Sequence, residues 1–206
     1  MVVARPASER EKGRGSADSI LAELWAGNRR FQRGEAVGPR RDRSRRAAVA
    51  DGQSPSAAVV ACSDSRVPPE LLFDQGLGDL FVVRLAGNVI GADALGSLEY
   101  AAGHLDVAVI VILGHSRCGA VSAAVRGEHA SAHMEGILAS LRPAIEATAA
   151  LPGDPIANAA REHVRRLAAG LAARSPALCE RVAAGRLAVV AAYYDVATGE
   201  VERLKV

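Results

Sequence analysis

Two stretches of the chain are apolar at almost every position. Residues 57–62 ("AAVVAC") and 106–115 ("DVAVIVILGH") leave no polar face for solvent. Unbroken β-branched and small apolar runs of this length predict strands covered on both sides, as in a parallel sheet between helix layers. "LFVVR" at 80–84 and "RLAVVAAYYD" at 186–195, the latter closed by a "TG" turn, predict two more strands. Between them the pattern changes to a helical period. Ile20, Leu21, Leu24, Trp25 and Phe31 mark one face of a helix that Ser16 or Asp18 caps. Further helices are expected over 92–104 and 117–126, and three Ala-rich ones over 133–184, with breaks at Pro152-Gly153 and Ser175-Pro176 and a short helical turn after Pro68-Pro69. This alternation predicts an α/β fold: a mostly parallel central sheet flanked by helices on both faces, with an N-terminal helical arm.

Length and composition narrow the class. A chain of 206 residues, 50% hydrophobic and 23% charged, suits a single domain over 16–206, preceded by a polar tail over 1–15 that the composition predicts to be disordered. Within that domain, 16–50 reads as the N-terminal helix and a basic arm, loop-like beyond the helix because of Gly34, Gly38 and Pro39. The N-terminal residues lack the apolar core of a signal peptide, and no window reaches the roughly 18 apolar residues of a membrane helix, so a cytoplasmic protein is expected. Three widely spaced cysteines do not form a disulfide framework, which leaves their thiols for metal or reaction chemistry. The net charge of +2 is small, but eight arginines lie between Arg29 and Arg46 against Glu35 and Asp42. Phe31 is the one aromatic residue nearby, and without motif support the stretch reads as a solvated loop or an arm on a second subunit, with no nucleic acid expected.

The distinctive chemistry lies where strands end. In open α/β sheets ligands gather at the carboxyl ends of the strands. One strand here ends in Cys62-Ser63-Asp64-Ser65-Arg66, the other in His115-Ser116-Arg117-Cys118. If the two strands are neighbours, Cys62, His115 and Cys118 converge, two thiolates and an imidazole of the kind a tetrahedral zinc prefers, with Asp64 or a water in fourth place. Four protein ligands would close the shell of a structural zinc, but such a site has no use for Arg66 two residues from the carboxylate.

"ACSDSRVPPE", "FDQGLGDLFVVRLAGN", "GSLEYAAGHL" and "VILGHSRCGAV" resemble the defining blocks of the β-class carbonic anhydrases, in order and with residues 63–114 between Cys62 and His115. "LWAGNRRF" and "VVAAYYDVATGEV" extend the resemblance from about residue 19 to the end. It implies Cys62, His115 and Cys118 as ligands of one Zn2+ per subunit, an Asp64–Arg66 catalytic dyad, and reversible hydration of carbon dioxide to bicarbonate and a proton by hydroxide on zinc. It also implies a homodimer that commonly pairs again to a tetramer, with no membrane partner. Two thiolates neutralise the ion's charge and raise the pKa of its water, a handicap that a hydrogen-bonding Asp64 would offset. Released by Arg66, Asp64 would instead take the fourth zinc position and close the site.

The plant-like branch of that family lines its pocket with residues that match Gln53, Phe81 and Tyr100, beside Gly119. Val59 stands where members with an inhibitory bicarbonate site carry tryptophan. The open, plant-like behaviour is therefore expected. Two other readings keep the fold: a hydrolase of carbon disulfide or carbonyl sulfide, and a non-enzymatic zinc scaffold, the latter disfavoured by an intact dyad. Cys179 has no ligand neighbours, and His104, His129, His133 and His163 lack metal spacing.

Overall fold

The structure, a computed structural model, describes residues 15–128 and 131–206. The tail expected over 1–15, apart from Gly15, and His129 lie outside the described residues. The strands are β1 (Ala57–Ala61), β2 (Leu80–Arg84), β3 (Val109–His115), β4 (Ala188–Tyr194) and β5 (Val201–Leu204). The helices are α1 (Ala17–Gln32), α2 (Arg43–Ala48), α3 (Pro69–Leu72), α4 (Ala92–Gly103), α5 (Gly119–Arg126), α6 (Ala132–Thr148), α7 (Pro155–Gly170) and α8 (Pro176–Ala183), with 3-10 turns at Ala86–Asn88 and Ala172–Arg174.

The strands form one sheet in the order β2-β1-β3-β4-β5. β1 runs parallel to β2 and to β3, and β3 parallel to β4, while β5 closes the far edge antiparallel to β4. The fully apolar runs are the central strands: every residue of β1 and β3 is buried. Alternation divides their side chains between two cores. Ala58, Val60, Ile110 and Ile112 face the layer that contains Leu98, Val121, Leu141, Val164 and Leu178 from α4 to α8. Ala57, Val59, Val109, Val111 and Leu113 face Ile20, Leu21 and Leu24 of α1 together with Leu72 and Phe73.

The Ser16 hydroxyl caps α1 by accepting from the Ser19 amide at 3.2 Å. Gly27 lets this helix lie directly on the chain below, since a Cβ there would stand 1.8 Å from the Phe73 carbonyl oxygen. At the next residue, the buried Asn28 amide donates to the Leu72 and Gly199 carbonyls and its oxygen accepts from the Val201 amide. One side chain thus joins α1, α3 and the β4–β5 turn.

Two elements differ from the sequence expectation. The arm contains a helix, α2, because the Asp42 carboxylate caps it by accepting from the Arg45 amide at 2.7 Å. The turn after β4 leads into β5, where Val201 and Leu204 are buried around a charged pair; two apolar residues in so short a segment carry little periodic signal. The arm itself is strapped to the loop before β2. Arg30 donates to the buried Asp74 carboxylate at 2.7 Å, which also accepts from the Val37 and Gly38 amides. Arg40 and Arg45 pair with Asp79, and Arg41 donates to the Gln75 carbonyl. Burial alone would raise the Asp74 carboxyl, yet Arg30 and the two amides hold it below the usual range. Four of the eight arginines thus have an intramolecular task. No helix among the described residues is long and apolar enough to cross a membrane.

Candidate metal centre

Because β1 and β3 are parallel neighbours with Ala61 opposite Leu113, both chains leave the sheet at the same end. Cys62 follows β1 directly, and His115 is the last residue of β3. Ser116 and Arg117 then reverse the chain. The Ser116 amide donates to the Tyr194 carbonyl at 2.9 Å, its hydroxyl accepts from the Val196 amide at 3.0 Å, and Arg117 takes a left-handed φ of 55°. The reversal returns Cys118 to His115 and makes it the N-cap of α5. The amides of Ala120 and Val121 at that helix start face the Cys118 sulfur and act to lower its pKa, against the larger opposing effects of Cys62 and burial.

Cys62, His115 and Cys118 are all buried, and their ligand atoms lie within 4.8 Å of one another; no other such group of acidic, histidine or cysteine side chains occurs among the described residues. The two sulfurs are 4.0 Å apart, close to the roughly 3.8 Å set by two 2.3 Å bonds to a tetrahedral ion and far from a disulfide. The imidazole is oriented to match. His115 Nδ1 lies 2.9 Å from the Ser116 carbonyl oxygen, which can only accept, so the proton belongs on Nδ1 and the lone pair on Nε2. Nε2 is buried and has no hydrogen-bond partner. A buried nitrogen left unpaired costs about 1–3 kcal/mol, and a metal ion is a partner that the two neighbouring sulfurs would share. The donor set therefore fits a metal ion. The hydrogen bond between the two sulfurs lowers the Cys62 pKa; that bond and burial raise that of Cys118.

Asp64 stands beside this cluster but outside it. Arg66 grips the carboxylate twice, Nε to Oδ1 at 2.9 Å and Nη2 to Oδ2 at 2.7 Å, and the Arg66 amide adds a third bond to Oδ1. Nη2 also donates to the Arg117 carbonyl at 3.1 Å, so the dyad bridges the loops after β1 and β3. The Arg66 hydrogen bond holds the Asp64 carboxyl well below the usual range, against the opposing effect of partial burial.

Several residues at the site carried no assigned role in the sequence reading. Arg84, at the end of β2, donates through Nε to the Cys62 carbonyl at 2.9 Å and through Nη2 to the Asp64 carbonyl. The strand-end rule that singled out β1 and β3 would have flagged it. Asn88 donates to the Leu113 carbonyl, just before the turn that joins His115 to Cys118. His163 is buried on α7, in step with Ala159, Ala160 and Val164 on the face that meets the sheet. It lines a small cavity shared with His115 and Cys118, with space for about one water molecule. Its Nε2 is also unpartnered, and burial lowers its pKa to about 4, so it brings no charge to the cluster at neutral pH. Gly114 permits this contact between helix and sheet, since a Cβ there would meet Val164 at 2.5 Å.

Of the pocket candidates, only Gly119 adjoins the cluster in sequence. Phe81 pairs with Ala58, four residues before Cys62 and so about 13 Å from it along the strand. Its ring packs 6.1 Å from that of Tyr100, which in turn lies 5.2 Å from His104. Gln53 is exposed on the loop before β1, and Gly119 is exposed at the first position of α5, next to Cys118. Cys179 and His133 are exposed and far in sequence from the cluster.

A family model described as carbonic anhydrase matches residues 57–201, which span both loops of the Cys-His-Cys cluster and four of the five strands in full. A carbonic anhydrase of Mycolicibacterium smegmatis is 42% identical over 183 residues, covering 87% of this chain and 89% of the relative. Among solved structures, a β-carbonic anhydrase of Aspergillus fumigatus superposes with a TM-score of 0.73 at 27% identity, covering 92% of this chain and 89% of that one. A structure from work on two tetrameric β-carbonic anhydrases of Sordaria macrospora gives 0.70 at 26% identity, covering 92% and 94%. A buried Cys-His-Cys cluster at the ends of two neighbouring parallel strands, set in a match of this extent, leads to one conclusion: the chain belongs to the β-carbonic anhydrase family.

Proposed function

We propose that the protein is a zinc enzyme that catalyses reversible hydration of carbon dioxide to bicarbonate and a proton. The observation that carries this reading is the unpartnered, buried Nε2 of His115 facing two thiols, beside a carboxylate that is held outside the ligand cluster. Cys62, His115 and Cys118 would hold the ion, one per subunit. Two thiolates and an imidazole with a fourth position open to oxygen suit zinc. Zinc supplies Lewis-acid activation of water, and so a nucleophile at neutral pH.

Asp64 does the positioning. With its pKa depressed by Arg66, it stays ionised and is a poor proton store, so its role is to accept a hydrogen bond from the attacking water and direct a lone pair at the carbon of carbon dioxide. Arg66 keeps the carboxylate away from the ligand cluster. Loss of that grip would free Asp64 to turn toward the thiols and occupy the place of the water. The described arrangement, with Asp64 on Arg66, is the one the open state requires.

We also infer self-association. β2 is an edge strand whose five residues are all only partly buried, and Tyr100 beside it is 39% exposed. A second copy of the chain against this edge would cover Phe81 and Tyr100 and bring them toward its own site, a place they do not reach within one chain. The Sordaria relatives are tetrameric. The free thiols agree with a reducing, cytoplasmic setting. The test is stopped-flow carbon dioxide hydration on metal-assayed protein from mildly acidic to alkaline pH. Hydration far above buffer, rising with pH, is expected; a full complement of zinc with no rate above buffer would refute the reading.

A further inference from the structure

The loop that carries Cys62 and Asp64 leaves the sheet where backbone pairing runs out. The ladder between β1 and β2 continues for two more bonds, from the Leu85 amide to the Ala61 carbonyl at 3.1 Å and from the Ser63 amide to the Leu85 carbonyl at 3.2 Å. After Leu85 the neighbouring segment turns into the 3-10 segment Ala86–Asn88 and leaves the ladder. Buried or half-buried carbonyls need donors. The Arg84 guanidinium supplies one to Cys62 O through Nε at 2.9 Å, and its Nη2 joins the Val67 amide on Asp64 O. The peptide group between Cys62 and Ser63 is therefore pinned twice, by its own N–H on Leu85 and by Arg84 on its carbonyl, and the peptide group after Asp64 is held by the same planar side chain.

This placement matters because Cys62 and Asp64 have different tasks and one residue between them. The direction of each side chain follows from the peptide planes that flank it. A fork of donors with fixed spacing holds both planes at once, which a point charge on a flexible stem cannot do. Arg66 holds the carboxylate from the side-chain end, and Arg84 holds the same loop from the backbone end.

We propose that Arg84 is a positioning residue that sets the separation and direction of the Cys62 sulfur and the Asp64 carboxylate. It touches neither the substrate nor the ion, and acts through the two carbonyls. The proposal rests on the metal-centred reading above, but its test separates the two. The Arg84→Gln and Arg84→Lys variants would be prepared as zinc-loaded full chains and compared with the parent in three respects: loss of zinc to a chelator, kcat and KM for carbon dioxide, and thermal unfolding. Neither Gln nor Lys can span both carbonyls in this geometry. Chelator-driven zinc loss should quicken by about tenfold, the scale seen when a hydrogen bond that orients a metal ligand is lost, and kcat should fall by about as much with KM changed little. If Arg84→Gln does not fold, Arg84→Lys carries the test with the same expected directions. A variant that melts lower but keeps the parental zinc-loss rate and kcat would make Arg84 an ordinary structural arginine and overturn the proposal. Parent protein with no hydration activity would refute the function above, while the zinc-loss comparison would still judge Arg84.

Discussion

Arg66 holds Asp64 through two parallel side-chain hydrogen bonds of 2.9 and 2.7 Å and a third from its own amide, while Nη2 reaches across to the Arg117 carbonyl between His115 and Cys118. The carboxylate nearest the ligand cluster is thus committed to a guanidinium two residues away. Short spacing makes this possible, since the chain bends back at Asp64 and the Val67 amide bonds the Asp64 carbonyl.

Removing either partner should separate metal binding from turnover. Asp64→Ala and Arg66→Ala leave the three ligands in place, so both should retain one zinc. Both should lose about 10²-fold or more in kcat, the scale seen when a pre-oriented polar group is deleted. Zinc content and stopped-flow rates measured on the same preparations check this. Parental turnover in either variant would remove the dyad from the mechanism.

Removing a ligand should do the opposite. Cys118→Ser takes away one of the two buried sulfurs of the cluster, and His115→Ala takes away the free Nε2. Zinc stoichiometry should fall well below one per chain and activity with it, as it should when the parent is dialysed against a strong chelator. The parent's melting temperature should also drop on chelation, because a ligand bound only by the folded state stabilises it. A melting curve indifferent to chelator would argue against an ion in this cluster.

His163 should give the protein an acid-sensitive stability. Burial lowers its pKa to about 4, below the ordinary 6.5. Between these values the unfolded chain binds a proton that the folded chain refuses. Stability is therefore full above about pH 6.5 and falls as pH drops toward 4, by of order 3 kcal/mol. Urea unfolding across this range should show the slope in the parent and a shallower one in His163→Gln. Equal slopes would mean that other groups account for it.

The arm should depend on Asp74. Asp74→Ala leaves Arg30 and the Val37 and Gly38 amides without their shared acceptor. A lost buried, charge-assisted network of this kind is worth about 2–4 kcal/mol, so the arm should loosen and trypsin should cut within its arginine-rich segment before the rest of the chain. Cleavage at the parental rate would show that the arm is held by other contacts.

Much of the fold was legible because its central strands are apolar on both faces, a pattern that solvent-exposed segments cannot sustain. β1 and β3 follow from "AAVVA" and "VIVILGH", and the helix breaks follow from proline and glycine. β5 and α2 were not legible. "VERL" becomes a strand only because β4 offers it an edge, and α2 forms within a stretch whose glycines and proline read as loop. The same limit applied to polar residues. Asn28 looks like any surface residue of a helix until Leu72, Gly199 and Val201 surround it.

Residue type and order alone determined the set of donors: two cysteines and a histidine at the ends of two apolar runs, with a carboxylate and a guanidinium on alternate positions after the first. What they could not determine was adjacency. Only the parallel pairing of β1 with β3 brings Cys62 to His115 and Cys118, and only the end of β2 beside them places the Arg84 fork on the carbonyls of Cys62 and Asp64. The physical reason is range. Strand propensity and capping act over a few residues and are written locally, whereas the partner of a buried polar atom is chosen by which distant segments the hydrophobic cores press together.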